Sequence, residues 1–353
     1  MDRREFLKST GAAAAVATTA TAIAADTTPA APAVAKGLQQ LRLAMPWADG
    51  VAGPADQARR LAQRVASMSG GKIRLMPSFG VASGLAAVRA GDADLYFASA
   101  HDNLDTHRGL AFFAGLPGDR GLNPHHLQSW IALGGGQALW DELSGDLGIK
   151  PLLAAHTGSR SLMLATERIA TMSALTGRKA YVEGLARDVA RGLGLEPVSM
   201  APAELAGAMQ RGDLLAAECG GAITSYALGV HAVAPYATGT SINRNGTALS
   251  LGIARTLWDR LGESDQAVIA AAAAAEFQLS LAEEEAHRPM LYPEPAPERI
   301  WPLAAELSHA IRRVADAVVA HAGGADAQSR RINDSYAAFR ASVQGSAAPA
   351  PVA

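Results

Sequence analysis

The chain has 353 residues, 49% of them hydrophobic and 18% charged, with 31 basic against 33 acidic side chains and a formal net charge of −2. That length suffices for two packed lobes with separate cores, and the near-neutral balance excludes the long-range positive field that nucleic acid or an anionic lipid surface would need. One cysteine, Cys219, excludes an intramolecular disulfide and is either a small buried apolar residue or an exposed thiol.

In chain order, the first signal is Asp2-Arg3-Arg4-Glu5-Phe6-Leu7-Lys8, followed by a run of mostly Ala, Thr and Val from Gly11 to Ala24. An arginine pair ahead of a weakly apolar run, too short to anchor in a bilayer and ending on Ala22-Ile23-Ala24, reads as a cleavable twin-arginine export signal over residues 1–24. A second small-residue site, Ala33-Val34-Ala35, leaves the cleavage point open, and residues 25–37 read as a flexible leader. The expected destination is the periplasm.

Leu41 to Trp47 alternates briefly and stops at a proline, as a strand whose carboxyl end opens on a cleft would. Pro54 to Met68 sets Ala58, Leu61, Val65 and Met68 on one helical face with Arg59, Arg60 and Arg64 outward. Strands at Lys72–Met76 and Asp94–Ser99, with a short helix at Ala86–Ala90 between them, complete a β-α-β-α-β opening. Leu127 to Leu143 is helical apart from Gly134-Gly135-Gly136, which marks a break or close packing. A phosphate cradle there lacks the preceding strand and the following Lys-Ser or Lys-Thr. A strand at Lys150–Ala155 ends on His156-Thr157-Gly158.

From Arg160 the pattern restarts with strands at Ser161–Ala165, Lys179–Val182, Glu196–Met200 and Leu214–Glu218, and helices at Leu185–Leu193 and Ala203–Gln210. Helices at Ser264–Glu285, Pro302–His321 and Arg330–Val343 follow. The division expected is lobe 1 over 38–158, lobe 2 over 159–246, a return to lobe 1 with a long interlobe helix and C-terminal helices over 247–343, and a disordered tail over 344–353.

Several stretches, in order, resemble one family: Ser67-Met68-Ser69-Gly70-Gly71-Lys72, Ala111-Phe112-Phe113, Trp130 with Gly134-Gly135-Gly136-Gln137-Ala138-Leu139-Trp140, Thr157-Gly158, Leu193-Gly194, Pro197-Val198, Glu204 and Ala216-Ala217-Glu218. The family is the solute-binding proteins of tripartite ATP-independent periplasmic (TRAP) transporters, in the branch that binds 2-oxo acids and related carboxylates. The resemblance implies an α/β, two-lobed periplasmic-binding-protein fold, type II-like, that closes on a small organic acid and delivers it to membrane permease subunits. It implies no enzyme activity and no obligatory cofactor, leaves room for Na⁺ or Ca²⁺ bound with the ligand, and leaves a homodimer open. A sensor or accessory subunit descended from such a protein is the alternative.

The resemblance also marks departures. The family's carboxylate-clamping arginine ends a pattern like G-L-K-M-R, where this chain has Gly177-Arg178-Lys179-Ala180-Tyr181, so Tyr181 replaces the clamp. Arg160 stands where the family has a glutamine and offers a repositioned cation. Glu218 matches a glutamate that helps hold a metal ion and ligand, but the tryptophan expected after it is Cys219, which enlarges the pocket. Trp47 and His101 fall at strand ends facing the cleft. The ligand-binding candidates are thus Trp47, His101, Arg160, Tyr181, Glu218 and Cys219, with Glu218 the candidate metal ligand. Each has a plainer role in competition: a cap or surface pair for Glu218, rim packing for Tyr181, an interlobe salt bridge for Arg160, a solvated loop for His101. His125-His126 has no third ligand at metal-like spacing, and no G-x-S-x-G or H-E-x-x-H motif is present.

Overall fold

The leucines of the first strand, β1 (Gln39–Ala44), alternate with Arg42 as a half-buried strand requires: Leu41 and Leu43 are buried, while Arg42 faces out and pairs with Asp94 at 3.0 Å. The computed structural model describes residues 37–158, 163–238, 241–291, 300–301 and 304–345. The export signal, the leader up to residue 36, Arg160 and the tail after residue 345 lie outside the described residues. From Gln39 onward the described residues form one compact unit.

In this unit β1 joins β2 (Ile73–Ser78), β3 (Leu95–Ser99), β4 (Ile149–His156) and β10 (Ala248–Ala254) in a five-stranded sheet ordered β2-β1-β3-β10-β4. β1, β2 and β3 are parallel, connected through α1 (Pro54–Met68) and α2 (Gly84–Ala90). α1 buries Ala58, Leu61 and Val65 in the core of this sheet. Arg60, expected outward, instead lies against a later helix, where it holds Glu276 and Glu283 at 2.7 Å each.

β10 runs antiparallel between β3 and β4 and is absent from the predicted elements. Ala248 to Ile253 are all buried, so the segment carries no period-two alternation to announce it. The three glycines serve as both break and contact: Gly135 (φ +85°) separates α3 (Pro124–Leu133) from α4 (Gly136–Gly145), and a Cβ on Gly136 would lie 2.9 Å from the Trp130 ring. Phe113 stacks between Trp130 and Trp140, with centroids 5.2 and 4.9 Å away.

The second sheet is ordered β11-β9-β5-β8-β6-β7. Its strands are β5 (Leu164–Ala165), β6 (Lys179–Tyr181), β7 (Glu196–Pro197), β8 (Ala216–Ala217), β9 (Tyr236–Thr238) and β11 (Ile300–Trp301). β6, β7 and β8 are shorter than the sequence predicts, and β9 and β11 are absent from the predicted elements. α5 (Ala186–Gly192) and α6 (Leu205–Gln210) flank the sheet, and α7 (Ala222–Ala227) follows β8.

The two halves share α8 (Glu263–Leu291), a helix about 43 Å long at 1.5 Å per residue. It packs on β4 and α1 and reaches α7 on the other side. There the Glu284 carboxylate accepts the backbone N–H groups of Ala222 and Ile223, capping α7 from outside. α9 (Ala305–Gly324) lies on α5, and α10 (Ala327–Gly345) returns to α3 and α4. The arrangement is a two-lobed α/β fold with a long shared helix. No helix among the described residues is long and apolar enough to cross a membrane.

Candidate functional site

The chain leaves the first sheet after β4 at Thr157-Gly158 and re-enters it just before β10 at Gly246-Thr247. These crossings are tied together: Thr157 N–H donates to the Thr247 carbonyl and Thr247 N–H to Thr157 Oγ1, both at 2.9 Å. They approach so closely that only glycine fits. A Cβ on Gly246 (φ +70°) would lie 2.1 Å from the Gly158 carbonyl, and one on Gly221 would lie 1.7 Å from the Thr157 carbonyl.

Beside this double crossing lies a cavity of about 160 Å³ walled from both halves: Trp47 and Asp102 from the first, Tyr181, Glu183 and Cys219 from the second, Thr157 at the join. Trp47 is fixed by an edge-on contact with Phe97, centroids 5.9 Å apart. Tyr181 is at the end of β6, and alternation puts Glu183, two residues on, toward the same cavity. The Tyr181 hydroxyl donates to Glu183 Oε1 at 2.7 Å. Burial raises the Glu183 carboxyl above the usual range. Asp102 keeps solvent contact through the cleft, yet protein surrounds it closely enough that burial, and then the charge of Glu183, push it up to about 7.

Of the residues singled out from the sequence, Trp47, Tyr181 and Cys219 meet at this cavity, and Arg160 is outside the described residues. Glu218 is elsewhere: it is buried, and its two oxygens accept the backbone N–H groups of Ile242 and Asn243, which ties the end of β8 to the returning crossover. Burial lifts it to about 7 despite those donors.

His101 lines a second cavity of about 380 Å³, which shares Asp102, Tyr181 and Glu183 with the first. Its ring rests over Gly184, where a Cβ would lie 2.3 Å from Nδ1. Neither ring nitrogen has a hydrogen-bond partner among the described residues, and burial holds the imidazole down to about 4, so it is neutral. Cys219 is no activated thiol, since burial first, then Glu183 and Glu218, raise its pKa.

Asp102 and Glu183 are the site residues that sequence reasoning missed. Each had a signal: Asp102 follows a strand-end candidate, and Glu183 repeats the facing of Tyr181.

Three comparisons bear on this geometry. Residues 1–20 match the twin-arginine translocation pathway signal sequence, and residues 123–316 match the bacterial extracellular solute-binding protein family 7. A monocarboxylate 2-oxoacid-binding periplasmic protein of Nostoc sp. is 25% identical over 97% of this chain and 95% of its own length. Among solved structures, a TRAP transporter solute-binding protein of Bordetella bronchiseptica, described with calcium and picolinate, aligns with a TM-score of 0.81 at 21% identity, over 88% of this chain and 94% of the other. One from Colwellia psychrerythraea with calcium and pyruvate aligns with a TM-score of 0.80 at 19% identity, over 87% of this chain and 96% of the other. The chain is exported to the periplasm by the twin-arginine pathway. It belongs to the bacterial extracellular solute-binding protein family 7, the solute-binding components of TRAP transporters.

Proposed function

We propose that the cleft captures a small carboxylate, such as a short 2-oxo acid, by closure of the two lobes about the crossings, and presents it to the permease of a TRAP transporter. The observation that carries this reading is the cavity of about 160 Å³ walled by both lobes beside the join. Its size is well under the roughly 300–1,000 Å³ of sites for drug-sized ligands, which limits the guest to a small metabolite. The ligands named for the Nostoc relative and for the two solved neighbours support the carboxylate class.

Trp47, Tyr181 and Cys219 are our candidates for contact with the solute. Arg160, three residues after Thr157 in the sequence, is our candidate for its anionic end. The calcium of the neighbours raises the question of an ion. The described residues fit one poorly, because both Glu218 oxygens are committed to backbone N–H groups and no group of three or more His, Cys, Asp or Glu that could hold a metal ion occurs among the described residues. No step of the proposed closure is assigned to an ion. No observation among the described residues favours catalysis or the sensor or accessory-subunit reading over binding. One neighbour is described as a dimer, and sedimentation would read whether this chain pairs too.

Thermal denaturation against a library of carboxylic acids of two to six carbons, with sodium and calcium present, tests the reading. A true ligand at a hundred times its Kd adds about 2.7 kcal/mol and raises the midpoint accordingly. A library in which no acid moves the midpoint sinks it.

A further inference from the structure

The carboxylate reading leaves one side of the cleft without a task. Asp102 and Glu183 face both cavities, and no arginine or lysine is among the described residues lining the smaller one. The larger cavity does carry three cations, Arg108, Arg187 and Arg191, each engaged by a partner in its own lining. Arg108 and Arg191 both pair with Asp188, and Arg187 donates to Ser199 Oγ at 2.7 Å while acting on Glu183 only at longer range. Asp102 and Glu183 form no ion pair among the described residues, and the single hydrogen bond to a side chain that Glu183 accepts comes from Tyr181. Against the same larger cavity stands His101, 7% exposed, with both ring nitrogens unpartnered.

Two carboxylates and a neutral imidazole supply many acceptors and one donor. A 2-oxo group brought against them would set oxygen lone pairs against oxygen lone pairs. An ammonium group would bring three donors and a positive charge that the lining of the smaller cavity does not supply. Resting on the reading of the cleft as a carboxylate site, we propose that the solute is a zwitterion: a small acid that also carries a protonated amine, with the ammonium seated against Asp102 and Glu183 and within reach of His101, and the carboxylate turned toward the hinge side. The raised carboxyls of Asp102 and Glu183 agree with this assignment, since each ionises more readily once a cation arrives.

The test is calorimetric titration of the whole mature protein with matched pairs: alanine against pyruvate, 2-aminobutyrate against 2-oxobutyrate, glutamate against 2-oxoglutarate. Each is run with and without calcium and sodium, and any hit from the acid library is run against its own amino or oxo counterpart. The expected result is that the amino member binds at least about tenfold tighter, a ratio worth about 1.4 kcal/mol. Asp102→Asn and Glu183→Gln should each erase most of that ratio, and their unliganded melting curves report separately on folding.

Equal or tighter binding of the oxo member, with or without calcium, overturns the zwitterion and leaves the carboxylate reading standing. A preference for the amino member that survives both substitutions overturns it as well. If neither the pairs nor the acid library binds, both readings fall together.

Discussion

The two walls of the cleft are built differently. The first rests on strands of five to eight residues whose ladder is continuous from β2 to β4, backed by α1, α8 and a stacked aromatic cluster. The second rests on strands of two or three residues, held in place by side chains and loops that reach them from elsewhere. Glu218 binds the Ile242-Asn243 backbone, and Glu284 of the shared helix caps α7. Both walls bury apolar cores, but the first adds a long continuous ladder, while the second, with short strands, adds two buried carboxylates that accept backbone N–H groups. The chemically distinctive residues of the cleft come from both walls, Trp47 and Asp102 from the first and Tyr181, Glu183 and Cys219 from the second.

The sharpest way to break this contrast is at the join. Gly221→Val would force a Cβ to within 1.7 Å of the Thr157 carbonyl and 2.4 Å of Glu284 Oε1, both held by surrounding structure. A loss of about 5 kcal/mol, or failure to fold, is expected in urea denaturation. Gly145→Ala, where a Cβ meets nothing within 4 Å, should stay within about 0.5 kcal/mol of the parent. Equal behaviour of the two variants would mean that the crossings do not need their close approach. Next in size, Phe113→Ala empties the space between Trp130 and Trp140 and should cost about 3–4 kcal/mol. Because that cluster lies outside the cleft, the Kd for whichever acid the library identifies should change less than about twofold. A large change in affinity would show that the first wall is not independently stable.

The same contrast explains what the sequence made legible. The opening β-α-β-α-β unit could be read because Leu41, Leu43, Ala58, Leu61 and Val65 repeat with clean periods set by one-sided burial. β10 escaped because it is buried along nearly its whole length, leaving no alternation. For the second sheet the sequence predicts four of the six strands, with β9 and β11 unannounced, and draws β6, β7 and β8 too long. Val198 and Leu214 look strand-like in sequence, yet the ladder is confined to residues that neighbouring strands happen to reach. At the site, Trp47, Tyr181 and Cys219 were found from strand ends and family resemblance. For Glu218 the resemblance implies a ligand role, and nothing in the sequence announces that a loop 24 residues later supplies donors to its carboxylate. Asp102 and Glu183 went unremarked because a lone acid in a loop is usually solvated, and only the closeness of the opposite lobe makes these two unusual.

The smallest effect concerns Glu284, the group through which α8 reaches the second wall. It is buried, and burial outweighs its two backbone donors and the nearby Arg288, lifting its pKa from 4.5 to about 7. Between those values the folded protein holds a proton that the unfolded chain has released, so this contribution is fullest below pH 4.5 and is lost as the pH rises through about 7. Relative to a variant without the titration, the parent should therefore lose stability between about pH 5 and pH 8, by on the order of 1 kcal/mol. Glu284→Gln retains one acceptor oxygen and removes the charge, so its urea midpoint should vary less steeply over the same range. A parent that gains stability over the variant with rising pH would mean that the carboxylate is ionised in place, with the α7 donors outweighing burial at the point where the two walls meet.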